Sequence, residues 1–354
     1  MSVFGKQRIL VTGGAGFVGS NLVRALLEQD AELVACVDNL LSSEADNLPS
    51  DARVELWEGS INDAGMLRAI RDGRFAYVFH LVTYHGNQSS IHDPLADHEN
   101  NLFPVPNLCE ALKESADLKK VVYSSAGCTV AEKTYSDAPA TTEETPVSLW
   151  MDSPYQISKV VGEMYFNYYF LRHGVPSVKA RFQNVYGPGE VLGAGRWRGT
   201  PATVWRNVIP TFIYKAVKGM PLPVDNGGLA TRDFIHVSDI ARGLMSCASD
   251  GRTGEVYNLA SGRETSILEL ASLINELAGN PSSVELMPAR DWDRSGKRHG
   301  ATGKALDELG FSCLVELEKG LVDAIRWTRD NLARIERCMA RHNAEMKSAG
   351  RPGA

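Results

Sequence analysis

Arg8-Ile-Leu-Val-Thr-Gly-Gly-Ala-Gly-Phe-Val-Gly19 runs from an apolar, strand-like stretch directly into a glycine-rich turn, and a helical pattern over Phe17–Gln29 follows. Strand, glycine turn and helix in that order form the context in which such a turn cradles a dinucleotide. Gly13 permits the tight turn, Gly16 lets the backbone approach a pyrophosphate, and Gly19 allows the helix to pack closely on the strand. The helix start at Phe17 and Val18 offers free amides and a positive dipole end to the phosphates. Asp38 closes the next strand, about 20 residues on, where a carboxylate accepts both ribose hydroxyls; Asn39 stands beside it. An acid there repels a 2′-phosphate and no arginine follows directly, which favours NAD over NADP.

Working outward, apolar strands alternate with amphipathic segments. Strands are expected at Arg8–Thr12, Glu32–Asp38, Val54–Glu58, Tyr77–Leu81, Lys120–Ser125 and Ser177–Phe182. Helices are expected near Phe17–Gln29, Asp63–Arg71, Pro94–Ser115 and Ser153–His173. This rhythm implies an α/β fold with a doubly wound parallel sheet of the Rossmann kind, covered on both faces. Beyond Gly187-Pro188-Gly189 the rhythm breaks into Gly193-Ala-Gly-Arg-Trp-Arg-Gly199. Residues 1–183 then read as a dinucleotide-binding domain to which 233–261 returns. Residues 184–232 and 262–340 form a smaller mixed α/β substrate domain, and 341–354 a flexible tail. Arg232–Val237 reads as a strand, with Ser238 and Ser266 as caps of the helices that follow.

Tyr155-Gln-Ile-Ser-Lys159 adds chemistry to the cradle. Positions i and i+4 of a helix share one face, so the phenol and the ammonium project together. A phenol titrates near 10, and bringing it to about 7 costs roughly 4 kcal/mol at about 1.36 kcal/mol per unit. An adjacent ammonium, helped by the positive ring of an oxidised nicotinamide, perturbs it in that direction.

The bulk properties narrow the field. A chain of 354 residues with 44% hydrophobic and 23% charged residues is ordinary globular material. Its net charge of −6 argues against general nucleic-acid binding. The six cysteines form no CxxC pair, and the spacing of His80, His85, His92 and His98 matches no metal site. No apolar run is long enough to span a membrane and no signal peptide is visible, so a cytoplasmic location without membrane partners is expected.

With Gly13–Gly19, Asp38, Tyr155–Lys159 and Asn184-Val-Tyr-Gly-Pro188 in view, the chain resembles the extended short-chain dehydrogenase/reductase family, within its nucleotide-sugar epimerases and dehydratases. The resemblance covers roughly residues 6 to 330. It implies a tightly held NAD that is reduced and reoxidised in each turnover, a nucleoside-diphosphate sugar substrate, and a homodimer built from helices near 94–115 and 153–173. By position, Tyr155 is the base at the sugar hydroxyl and Lys159 its partner and a ribose ligand. Ser60 and Ile61 fall at the adenine. Leu81, Val82 and Thr83 wrap the cofactor, Asn101 lies toward the nicotinamide, and Ser124 is a further cofactor-binding residue. Asn184, Arg232 and Arg290 match ligands of the substrate diphosphate, for which paired guanidiniums suit.

The pattern also departs from that family. After the fifth strand Ala126 replaces the usual serine or threonine, leaving Ser125, Thr129 or water to act in its stead. Cys128 stands where dehydratases carry a glutamate and GDP-mannose 3,5-epimerases a cysteine; it reads either as a proton carrier or as a small buried residue. Arg198, in Arg196-Trp-Arg-Gly199, takes the place of the latter enzymes' lysine. It hardly ever gives up a proton, so it binds substrate or stabilises an enolate instead. His85, in the loop facing the sugar, is a further substrate-side candidate. These readings favour an NAD-dependent epimerase acting through a transient 4-keto sugar. A dehydratase or decarboxylase is the alternative, and a non-catalytic NAD sensor or scaffold is a reading of a different class.

Overall fold

The structure, a computed structural model, describes residues 2–84, 86–127, 134–137, 139–290 and 296–349, so His85 and Cys128 lie outside the described residues. In chain order the strands are β1 (Arg8–Thr12), β2 (Leu33–Asp38), β3 (Val54–Glu58), β4 (Tyr77–His80), β5 (Lys120–Ala126), β6 (Ser177–Phe182), β7 (Asn184–Tyr186), β8 (Leu222–Asp225), β9 (Thr231–Arg232), β10 (Phe234–His236), β11 (Val256–Leu259), β12 (Thr265–Ser266) and β13 (Val284–Met287). The helices are α1 (Phe17–Glu28), α2 (Ala64–Asp72), α3 (Asn87–His92), α4 (Pro94–Asp97), α5 (Pro104–Leu112), α6 (Pro154–His173), α7 (Val208–Val217), α8 (Val237–Ser249), α9 (Ile267–Ala278), α10 (Gly303–Leu309), α11 (Leu317–Asp330), α12 (Leu332–Ala340) and α13 (Asn343–Ser348).

Seven strands form one sheet in the order β11-β6-β5-β4-β1-β2-β3, every neighbouring pair parallel. This is the doubly wound architecture expected from the alternating pattern. Successive residues of β1 serve opposite faces. Ile9 and Val11 pack with Leu22 and Leu26 of α1 and Ile240 and Leu244 of α8. Leu10 faces Ile70, Leu108 and Phe166 of α2, α5 and α6. The order reverses between β1 and β4, which opens a crevice at the carboxyl ends of those strands, where ligands bind in such sheets.

A second core gathers Ile209 and Phe212 of α7, Leu270 and Ile274 of α9, and Leu321 and Ile325 of α11 around the parallel pair β8–β13. The segment from 233 to 261 crosses back, because β11 pairs with β6 at the edge of the main sheet. A fourth, small cluster seats Val191, Leu192 and Ala194 on Ile335 and Cys338 of α12. Past residue 340 the chain continues as α13, and His342 is buried with Nε2 2.9 Å from the Gly193 carbonyl.

Three local expectations change. The helix expected over 94–115 is broken into α4, a π-helical turn over His98–Leu102, and α5. Pro104 has no N–H to continue a helical ladder, and the Asn101 side chain is committed to the loop after β4. The strand expected over 232–237 divides at Asp233, with β9 pairing to β12 and β10 to β7. The buried Asp233 carboxylate accepts backbone N–H bonds from Ser261, Gly262 and Gly300 instead of letting one strand run through. His236, not Ser238, caps α8, its Nδ1 accepting the Ser238 N–H at 3.3 Å. Ser266 caps α9 as expected, in a capping box with Glu269.

Candidate active site

The carboxyl ends of β1 to β4 surround an open cleft of about 590 Å³. Gly13 and Gly16 line it, with Asp38 and Asn39 after β2, Ser60 and Ile61 after β3, and Leu81, Val82 and Thr83 after β4. Gly13 has φ +77°, and a Cβ there would stand 3.0 Å from the Leu81 carbonyl carbon. At Gly19 a Cβ would come within 2.1 Å of the Gly13 carbonyl oxygen. Backbone therefore fills the turn to the limit, leaving a side-chain-free cradle that fits a pyrophosphate. Val18 packs into the core beside the sheet. The Phe17 carbonyl accepts from Asn21 Nδ2 at 3.0 Å, and that same amide reaches the Pro188 carbonyl at 3.0 Å, tying α1 to the turn after β7.

Asp38 is buried and closes the cradle. Its Oδ2 accepts the Ala15 N–H at 3.0 Å, while Oδ1 accepts the Leu40 N–H at 2.9 Å and the Ser43 hydroxyl at 2.8 Å. Burial pushes its carboxyl up and these hydrogen bonds oppose the shift. Asn39 bonds Asn100 Oδ1 at 3.2 Å, so the loop after β2 meets the π-helical turn. Sequence reasoning missed Ser43, Asn100 and Pro104, which also line the cleft. The short polar run after Asp38, where a side chain can bond a nearby N–H, hinted at Ser43; nothing local pointed to Asn100 or Pro104.

Tyr155 and Lys159 lie one turn apart at the start of α6, where Ser153 is the N-cap and Pro154 the first residue. The helix seats against β5 because residue 162 is glycine: a Cβ there would fall 2.2 Å from the Tyr123 hydroxyl. Lys159 is buried, and its Nζ donates to the Ser124 carbonyl at 2.9 Å and stands 5.9 Å from the Tyr155 ring centroid. Neighbouring Ser158 donates to Asp97 Oδ2 at 2.5 Å. Asn101 donates to the other Asp97 oxygen at 2.7 Å, and its Oδ1 accepts the Tyr84 N–H at 2.6 Å. Asn101 thus braces the loop after β4.

Beneath the pair, His80 is buried, 2.8 Å from Thr12 Oγ1 and stacked on Tyr123. Burial, with the Lys159 charge second, pushes this imidazole down to about 3, so it is neutral. Ser124 donates its hydroxyl to the His80 carbonyl at 3.0 Å. The Ser125 hydroxyl is buried with no partner among the described residues. Ala126 ends β5 as a buried methyl group.

On the substrate side the expected residues spread over the second lobe. Asn184 opens β7, with its N–H on the Asp233 carbonyl at 2.9 Å. Arg232, buried on β9, donates to the Thr231 and Gly296 carbonyls at 2.6 and 2.8 Å. Arg290, after β13, pairs with Asp225 at 2.5 Å. Arg198 is buried in the 193–199 segment, its N–H on Thr203 Oγ1 at 3.0 Å. That segment also delivers Arg196 to the Asn39 carbonyl at 2.8 Å, a contact invisible from residue spacing.

Comparison with known proteins agrees with this arrangement. The family model described as NAD dependent epimerase/dehydratase matches residues 9–260. The crystal structure of the Bordetella bronchiseptica enzyme WbmF in complex with NAD+ and UDP superposes with a TM-score of 0.88 at 54% identity, covering 98% of this chain and 99% of that one. A UDP-glucose 4-epimerase of Mycolicibacterium smegmatis is 31% identical over 92% of this chain and 99% of its own length. A dTDP-glucose 4,6-dehydratase of Streptomyces niveus is also 31% identical, over 92% of this chain and 94% of its own. The family match runs through both the glycine cradle and the Tyr155–Lys159 pair, and with both kinds of catalyst resembling it from end to end, this chain belongs to the NAD dependent epimerase/dehydratase family.

Proposed function

We propose that this protein binds NAD and epimerises a nucleoside-diphosphate sugar through a transient 4-keto intermediate. The observation that carries the reading is the Lys159 ammonium, anchored on the Ser124 carbonyl at 2.9 Å with the Tyr155 ring beside it, next to the glycine cradle. The NAD+ and UDP held by WbmF support both ligand classes. When bound, NAD supplies an acceptor for the C4 hydride and later its donor. Tyr155, as phenolate, takes the proton of the C4 hydroxyl and afterwards returns it. Lys159 favours the phenolate through its charge and offers an N–H to the ribose. The C4 ketone acidifies the hydrogens at C3 and C5, which opens the way to inversion. Asn184, Arg232 and Arg290 hold the diphosphate, and Ser125 supplies the hydroxyl that Ala126 lacks.

Equal identity to a 4,6-dehydratase keeps elimination as the second reading; it requires an acid for the leaving hydroxyl, a role for Cys128 or His85. Incubation with a nucleotide-sugar panel in heavy water, read by proton NMR, separates the two. Inverted configuration with every hydroxyl retained, with deuterium at C3 or C5 where a proton has been exchanged there, supports epimerisation, and loss of water supports elimination. Tyr155→Phe should lower kcat at least about 100-fold, the lower range for general acid–base groups, and a variant with wild-type turnover would refute the mechanism. The exposed stripe Ile157, Met164, Tyr168 and Leu171 on α6 supports a homodimer, testable by sedimentation of Leu171→Glu, which should shift toward monomer. Buried free thiols at Cys36, Cys109 and Cys247 support a reducing, cytoplasmic compartment. No described helix is long and apolar enough to cross a membrane.

A further inference from the structure

Arg198 carries a charge that no hydrogen bond or ion pair among the described residues answers. The side chain is 4% exposed, and Nε, Nη1 and Nη2 all lack a hydrogen-bond partner among the described residues. Its neighbour Arg206 behaves differently, donating to the carbonyls of Ser42, Thr203 and Ala194. Burial pushes the Arg198 guanidinium down, yet such a group keeps its proton in proteins. A buried cation without hydrogen bonds or a counter-charge is strongly disfavoured. The folded chain therefore holds a place for something that supplies both.

The position of this charge narrows what that is. Burial pushes the Tyr84 phenol up while the Arg198 charge beside it pulls the other way. Tyr84 directly follows Thr83, which lines the cofactor cleft, and Asn101 holds its backbone. Gly199, at φ +81°, lies so close to α3 that a Cβ there would stand 2.2 Å from the His92 ring. The same segments carry buried hydroxyls at Thr83, Ser89 and Thr200 that have no partner among the described residues. These unpartnered donors and hydroxyls are thus grouped, polar and beside the cofactor cleft. The arginines expected at the diphosphate, Arg232 and Arg290, sit elsewhere, on β9 and after β13.

We propose that Arg198 receives a carboxylate borne by the sugar ring, so that the substrate is a nucleoside-diphosphate sugar acid and not a neutral hexose; this rests on the nucleotide-sugar reading above. A sugar hydroxyl accepts one N–H but leaves the charge unanswered. A carboxylate neutralises it and takes two parallel bonds from the planar fork.

The test is calorimetric titration of the NAD-loaded protein with UDP, UDP-glucose and UDP-glucuronate, which as a pair differ only at C6; the dTDP and GDP series are run beside them. The acid should bind at least about 30-fold more tightly than its neutral twin, roughly 2 kcal/mol. Arg198→Met should bring the two within about threefold of each other while leaving the affinity for the bare nucleoside diphosphate in place. Equal affinity of the wild-type protein for acid and neutral sugar overturns the proposal, and so does an Arg198→Met protein that loses the bare diphosphate instead. The wild-type comparison decides even if the variant does not fold. Failure to bind any nucleoside diphosphate is a different result: it brings down the nucleotide-sugar reading itself.

Discussion

Ser124 and Ser125 are adjacent and chemically identical, yet the fold employs them differently. Ser124 gives its hydroxyl to the His80 carbonyl at 3.0 Å, while the buried Ser125 hydroxyl has no partner among the described residues. A bonded buried hydroxyl is worth about 1 kcal/mol, and an unbonded one costs stability until something meets it. Ser124→Ala should therefore lower stability by about 1 kcal/mol in denaturant melts. Ser125→Ala should leave stability equal or higher while reducing kcat, by roughly 100-fold if its hydroxyl assists proton transfer. Unchanged kcat in Ser125→Ala would return that task to water or to a residue outside the described segments. The neighbour pair also shows a limit of reading residues in one dimension. Both serines were legible as site candidates at the end of an apolar strand. Which one was already spent depended on His80, 44 residues away and invisible to any local pattern.

At the scale of elements, α1 and α6 were legible because each has its own cause in the chain. A glycine turn starts one, and a Ser153-Pro154 start and Gly174 stop bound the other. The 94–115 region was not, since its π-helical turn exists to let Asn101 bridge Asp97 and Tyr84, and that demand comes from outside the helix. The connection between β7 and α7 offers a pH test of the same kind of long-range packing. Glu190 there is buried and bonded to Asn207 Nδ2 at 2.5 Å, and burial pushes its carboxyl up to about 7. A free glutamate titrates near 4.3, so between those values the folded chain holds a proton that the unfolded chain has released. The stability tied to this group is complete below the lower value and falls as pH rises to about 7, by roughly 4 kcal/mol in all. Glu190→Gln, which cannot ionise, should lack that decline. Stability curves of the two proteins between pH 4.5 and 8 that run parallel would show that Glu190 is ionised when folded.

At the scale of the molecule, the C-terminal helices govern a segment far from them in sequence. Val191, Leu192 and Ala194 pack on Ile335 and Cys338, and Gly193 accepts from His342. Arg334 and Arg341 reach across to Asp46 and Glu44, beside the loop that borders the cofactor cleft. This satellite core is small and separate from the two cores of the main sheet, so it should open without them. Ile335 is 2% exposed, and Ile335→Ala removes methylene groups whose loss costs about 2–5 kcal/mol in a packed core. Because the cluster seats the backbone that carries Arg198, the loss should appear first as local opening. Hydrogen exchange should quicken over 191–206 and 332–348, with the amides of β1 and β4 protected as before, and nucleotide-sugar affinity should fall several-fold more than NAD affinity. Exchange that quickens uniformly across the sheet would mean instead that α12 and α13 belong to the global folding unit, with the Arg198 segment held by the rest of the protein and not by its C-terminal helices.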